Sequence, residues 1–129
     1  MGYDSRLFII RKTDFPVDIE NKFKYAETMA VYEMGVFYPF QMLFNENCPI
    51  TEHAPFAPGG GDREVIKDCY GDPLRERTLT EVIDCLDQYI AAHKDGELYA
   101  RVKPLRALLQ EFEKIQNDRY HLAVLHFGH

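Results

Sequence analysis

The chain has 129 residues, of which 46% are hydrophobic and 28% charged, and its formal net charge is −6. This length is enough for one hydrophobic core but not for two, and the composition is typical of folded rather than disordered chains. An acidic chain without a basic tract argues against direct binding of DNA or RNA, which depends on Lys and Arg that neutralise phosphates.

Cysteine usage and the absence of targeting signals predict a cytoplasmic protein that does not act at a membrane. No apolar run approaches the roughly 18 residues of a membrane helix, and no basic region precedes an apolar stretch at the N-terminus. Gly2 is not followed by the myristoylation pattern, because Arg6 stands where Ser or Thr is required. Three cysteines at 48, 69 and 85 fit neither a disulfide framework nor a CxxC pair, so we expect reduced thiols.

Two strands are predicted in the first part of the chain. The run "SRLFIIRKT" is apolar at its centre, which favours a central strand over residues 3–12. Residues 24–36 fit two patterns, since their alanines and methionines suit a helical stripe as well as one face of a strand. The β-branched and aromatic residues in this stretch favour a strand; they are Tyr25, Thr28, Val31 and Tyr32.

The middle of the chain has weaker signals. Residues 37–63 contain four prolines and three consecutive glycines, and such long irregular segments are usually functional or mobile. Within them "FQMLFNE" is a candidate short helix. The stretch "REVIKDCYGDPLRERT" is typical of two short strands joined at Gly71 and Asp72, and Pro73 would place its strand at a sheet edge or shorten it.

The last third has the clearest pattern. Thr78 and Glu81 match the capping box, and a stripe of apolar residues follows, which predicts a helix over 79–94. A second stripe predicts a helix over 104–117, with Pro104 in its first turn. The end of the chain, "RYHLAVLHF", predicts an interior strand that is apolar on both faces. We therefore expect a single α+β domain over 1–129, with a mainly antiparallel sheet and two helices packed on one face.

Candidate catalytic groups are few. Ser5 is the only serine and lies outside any GxSxG motif. The glycine-rich stretch "APFAPGGGDREV" lacks the phosphate-loop spacing and carries acids that would repel a phosphate. Paired acids such as Asp68 and Asp72 resemble solvated charges. We therefore predict a non-enzymatic protein, with no catalytic residue and no cofactor.

Histidines are concentrated at the C-terminus, but their spacing does not bring them together. In a strand, His121 and His129 lie on one face and His126 on the other. We therefore predict no metal site. The alternative is a small metal- or thiol-dependent hydrolase that combines His53, His121 or His126 with Cys48 or an acid.

The acidic charge is concentrated in residues 36–72, which carry six acids against two bases. Such a segment suits a basic protein partner, because complementary charge speeds encounter and sets specificity. The predicted partner-binding residues are these six acids: Glu46, Glu52, Asp62, Glu64, Asp68 and Asp72. The same region holds five rings that either contact a partner or fill the core: Phe37, Tyr38, Phe40, Phe44 and Phe56.

The segments "MGYDSRLFIIRKT", "DCYGDPLRERTLTEVIDCL" and "LAVLHFGH" give the chain a resemblance to short accessory proteins of bacteriophages and prophages. This class includes inhibitors of bacterial defence such as anti-CRISPR proteins. The resemblance implies a host protein as partner, for example a nucleic-acid-binding defence nuclease, and the host-cell cytoplasm as the location. It implies no site residue, and the oligomeric state stays open.

Overall fold

The computed structural model describes residues 4–12, 25–45, 74–93, 98–116 and 121–128. These residues form four strands and three helices. In chain order the elements are β1 (Asp4–Lys12), β2 (Tyr25–Val36), α1 (Pro39–Leu43), β3 (Arg75–Arg77), α2 (Leu79–Ala92), α3 (Val102–Ile115) and β4 (Leu122–Gly128).

The strands form one antiparallel sheet in the order β2-β1-β4-β3. This confirms the α+β class, the central position of the first strand and the strand assignment of residues 24–36. Strand β3 has only three residues and lies at the edge of the sheet, in agreement with the prediction that the strand near Pro73 is short or at an edge. The other half of the predicted hairpin lies outside the described residues.

Strand β4 is buried on both faces, as its sequence predicts. Its alternate residues Leu122 and Val124 join one core with Leu7 and Ile9 of β1. Leu125 and Phe127, whose side chains point to the opposite face of the sheet, belong to a second buried cluster there. The members of that cluster are Phe8, Ile10, Leu74, Leu125 and Phe127.

Helices α2 and α3 pack on the first face of the sheet. Both capping-box hydrogen bonds at Thr78 and Glu81 are present, so α2 begins where its sequence predicts. Helix α3 begins at Val102 and ends at Ile115, in each case two residues earlier than predicted, and Val102 is fully buried. The helix residues buried in the core are Leu79, Val82, Ile83, Leu86, Val102, Leu105 and Leu109. No described helix has the length and apolar character needed to cross a lipid bilayer.

The segment before α3 is tied to β2 at an irregular point of the sheet. The register of β1 with β2 skips Met34, and Gly35 has a φ of 73°, a conformation that favours glycine. The Tyr99 hydroxyl donates to the Met34 carbonyl at 2.7 Å. A Cβ at Gly35 would lie 2.9 Å from that hydroxyl oxygen, so a larger residue would also have to displace the Tyr99 side chain.

Candidate functional site

The six acids predicted to bind a partner all lie outside the described residues. The same holds for Cys48, His53, Phe56 and His129. The site is therefore built from the groups whose placement the structure gives, and these lie around α1, α2 and the end of β4.

Helix α1 is held in place by its aromatic residues. Phe40 and Phe44, four residues apart, are buried, and Phe37 before the helix is buried as well. The ring centroids of Phe37 and Phe40 are 4.7 Å apart, and those of Phe40 and Phe44 are 5.8 Å apart. Of the five rings considered from the sequence, these three therefore fill the core.

The opposite side of α1 faces solvent. Tyr38 is 67% exposed and Met42, four residues later, is 78% exposed. Large apolar side chains that remain this exposed, side by side on one helix face, are characteristic of interaction surfaces. Tyr38 is thus the described ring that supports the partner-contact interpretation.

Tyr38 and Met42 border a groove of about 770 Å³ between α1 and α2. We call it the α1–α2 groove. Its first wall consists of Tyr38, Pro39, Met42 and Leu43. Its second wall is one side of α2, with Glu81, Cys85, Gln88, Tyr89 and Ala92 spaced three or four residues apart.

One end of the groove is fixed by Arg77 of β3. Its Nη1 donates to Glu81 Oε2 at 2.7 Å, and its Nε donates to the Leu43 carbonyl oxygen at 2.8 Å. Burial acts to raise the pKa of Glu81, but hydrogen bonds from Thr78 and Arg77 outweigh it and hold that pKa below its ordinary value. The Arg77 and Glu81 charges therefore neutralise each other, and together they connect α1, β3 and α2.

Asp84 gives the groove a net negative charge. It is exposed and forms no ion pair with another described residue, unlike Asp87 one turn later, which pairs with Arg106 of α3. Helix α2 contains three acids and no Lys or Arg. Because its C-terminus also carries the negative end of the helix dipole, the groove favours a cationic occupant.

The other end of the groove is formed by Tyr89 and His93. Their rings stack with centroids 4.0 Å apart, and the His93 Nδ1–H donates to the Tyr89 carbonyl oxygen at 2.8 Å. The nearby Cys85 thiol is partly buried, and burial raises its pKa. Cys85 is therefore a protonated, weakly nucleophilic thiol near neutral pH rather than a reactive thiolate.

A second polar feature lies in the core. Ser5 and His126 are both buried, and a hydrogen bond joins Ser5 Oγ to His126 Nε2 at 2.7 Å. The His126 ring also stacks on Phe44, with centroids 4.9 Å apart. This is the contact that a serine nucleophile makes with its base, but Ser5 is 0% exposed, so a substrate carbonyl cannot approach its Oγ in this conformation.

The described histidines do not converge on a metal. His126 lies opposite Leu7 on the helix-covered face of the sheet, and His93 lies at the end of the groove. Among the residues that the structure describes, no three His, Cys, Asp or Glu side chains form a group that could hold a metal ion.

Similarity to known proteins adds no family to this description. The chain matches no family model, no curated protein and no solved structure.

Sequence reasoning missed most of the groove. Met42, Asp84, Tyr89 and His93 were not predicted as contact residues, although Tyr38 was considered. The available signal was the spacing in "YPFQMLF", where Tyr38 and Met42 alternate with the buried rings around a helix. The partnership of Ser5 with His126 had no sequence signal, because the two residues are 121 positions apart.

Proposed function

We propose that the protein is a non-enzymatic binding protein that acts by occluding a site on a partner protein. The observation that carries this proposal is the α1–α2 groove, where the exposed Tyr38 and Met42 lie beside Asp84, an acid that forms no ion pair with another described residue. Aromatic residues and methionine are enriched at interfaces, and an apolar patch with a polar rim is typical of a docking surface.

Charge supports a basic partner. The net charge is −6, and the four-charge excess of acid over base in residues 36–72 adds to the acids of α2. The six acids of that segment, Glu46, Glu52, Asp62, Glu64, Asp68 and Asp72, belong to the proposed contact surface. An acidic surface of this kind competes with nucleic acid for a basic groove. A host defence nuclease is the partner that fits both this charge and the resemblance to phage accessory proteins.

Site-specific photo-cross-linking in a bacterial lysate tests the proposal. A benzophenone side chain placed at position 42 should cross-link one discrete protein, whereas the same group at position 115 should not. Ile115 is the matched control because it is also apolar and exposed, at 46%, but lies at the end of α3 outside the groove.

The cross-linked protein is then purified and its affinity is measured. Met42→Ser should weaken binding at least about tenfold, as expected for a residue at the centre of an interface, and Ile115→Ser should not. Charge reversal of Glu46, Glu52 and Asp62 together should weaken both the affinity and its salt dependence. Unchanged affinity in both the Met42 variant and the charge-reversed variant would contradict the proposed function.

A further inference from the structure

Three main-chain carbonyls at the ends of the α1–α2 groove walls already accept hydrogen bonds from side chains. At the end of α1 the Met42 carbonyl accepts from Asn45 Nδ2 at 2.7 Å, and the Leu43 carbonyl accepts from Arg77 Nε at 2.8 Å. At the end of α2 the Tyr89 carbonyl accepts from His93 Nδ1. An extended peptide binds mainly through main-chain hydrogen bonds to its receptor, and these carbonyls do not offer them.

An occupant that satisfies its own backbone hydrogen bonds, as a helix does, therefore suits the groove better than an extended peptide. The groove is also long enough to hold a helix. Its α2 wall runs from Glu81 to Ala92, about three helical turns or roughly 16 Å at the usual rise per residue. Helices dock in such grooves through apolar side chains three or four positions apart.

The negative charge of the groove favours an occupant with a positive charge. Arg77 is neutralised by Glu81, and the remaining groove charge is that of Asp84, with Asp87 paired to Arg106 behind it. The exposed ring of Tyr38 on the opposite wall also favours a cation, since aromatic faces attract Lys and Arg. A nucleic acid would be repelled by this surface.

We propose that the α1–α2 groove binds a basic amphipathic helix of the partner protein. This inference rests on the proposed function and specifies which part of the partner enters the groove. Apolar side chains of that helix contact Met42, Leu43 and Tyr89, while a Lys or Arg on its flank pairs with Asp84.

Binding of synthetic peptides to the full chain tests the inference. The probe is a fluorescein-labelled helical peptide of about 18 residues, or five turns, with leucines along one face and lysines beside them. Two further peptides have the same composition in scrambled order, or glutamate in place of each lysine. Fluorescence anisotropy should show binding of the first peptide at least about tenfold tighter than of either control peptide.

Two pairs of variants locate the binding. Asp84→Lys should weaken binding of the basic peptide about tenfold at low salt, whereas Glu111→Lys should leave it within about twofold. Glu111 is the matched control because it makes the same change in net charge from an exposed position on α3, where it pairs with Lys114. Met42→Ser should weaken binding, and Ile115→Ser should not.

Four outcomes would overturn the inference. Equal binding of the scrambled peptide would show attraction by charge alone, and equal loss in the Asp84 and Glu111 variants would place the peptide elsewhere. Self-association of the chain that Met42→Ser abolishes would make a second copy the occupant. If no peptide binds while Met42→Ser still weakens binding of the cross-linked partner, the occupant of the groove is not a basic helix, but the proposed function still holds.

Discussion

The hydrogen bond between Ser5 and His126 places two polar side chains inside an apolar core. Ser5 lies on β1 opposite Gly128, and His126 lies opposite Leu7, so the two side chains share the helix-covered face of adjacent strands. A buried polar group is costly unless it is paired. The bond therefore specifies how the ends of β1 and β4 fit together.

Removing one partner of this bond should be destabilising. Ser5→Ala leaves His126 Nε2 without its hydroxyl partner, and we expect a loss of about 1–3 kcal/mol in the free energy of unfolding. Urea denaturation measures this loss. Thr80→Ala is the control, since it deletes an exposed hydroxyl that is bonded to Glu113 and should change stability by less than about 0.5 kcal/mol. Equal effects of the two variants would show that the buried bond has no special role.

Cys85 and Glu81 show how position on one helix sets the chemistry of a residue. Cys85 is partly covered and uncharged, which removes it as a nucleophile near neutral pH. Glu81, one turn earlier, is kept ionised by Thr78 and Arg77. Both line the groove, one as a charged residue in an ion pair and the other as an uncharged thiol.

At the scale of the element, α2 is stabilised at its first turn by the capping box and by the Arg77–Glu81 ion pair. Because the pKa of Glu81 is lower in the folded than in the unfolded chain, its contribution is present above the ordinary value of 4.5 and is lost as the pH falls through the folded pKa. The first turn of α2 should therefore be sensitive to acid.

Glu81→Gln tests this pH dependence. Glutamine can retain the capping-box hydrogen bond from the Thr78 N–H through its one carbonyl oxygen, but it cannot ionise and its amide nitrogen cannot accept from Arg77, so the ion pair is removed. Wild type should have the higher thermal unfolding midpoint at pH 7, and the difference should shrink as the pH is lowered below 4.5. Glu111→Gln, at an exposed position on α3, should show no comparable change. A difference that grows toward low pH would contradict the assignment.

Helix α1 has only five residues, and isolated helices of this length are unstable in water. It is held by burial of Phe40 and Phe44 rather than by helix propensity. The same anchoring leaves Tyr38 and Met42 on the outside, so packing of one face creates the exposed wall of the groove.

At the scale of the whole molecule, substitutions in the core should lower the free energy of unfolding much more than substitutions in the groove. Phe40→Ala removes a fully buried ring and should cost about 3–5 kcal/mol, while Met42→Ser changes a side chain that is 78% exposed and should cost less than about 0.5 kcal/mol. Urea unfolding midpoints check both values. A large loss on Met42→Ser would mean that the groove is part of the folding core and not a docking surface.

Much of the fold could be predicted because its signals are local. The capping box at Thr78, the apolar stripes of α2 and α3, and the two apolar faces of the last strand are patterns within short windows of sequence. Proline at position 73 correctly placed β3 at an edge. The short helix in "FQMLFNE" was also predicted, although its boundaries shifted to Pro39–Leu43.

The candidate site was less predictable. Local pattern alone did not distinguish the buried Phe40 from the exposed Tyr38, since both are aromatic residues in an irregular segment. Asp84 resembled the other acids of α2 until the structure showed that Glu81 and Asp87 have cationic partners.

The sequence by itself determined the α+β class, the helix start at Thr78, the acidic charge and the interior position of β4, because each depends on composition or on neighbouring residues. Tertiary structure decided which rings α1 buries, that α1 and α2 enclose a groove, and that Ser5 meets His126. These features depend on contacts between distant parts of the chain. The burial and the hydrogen bond that stabilise them form only when the sheet and the helices pack together.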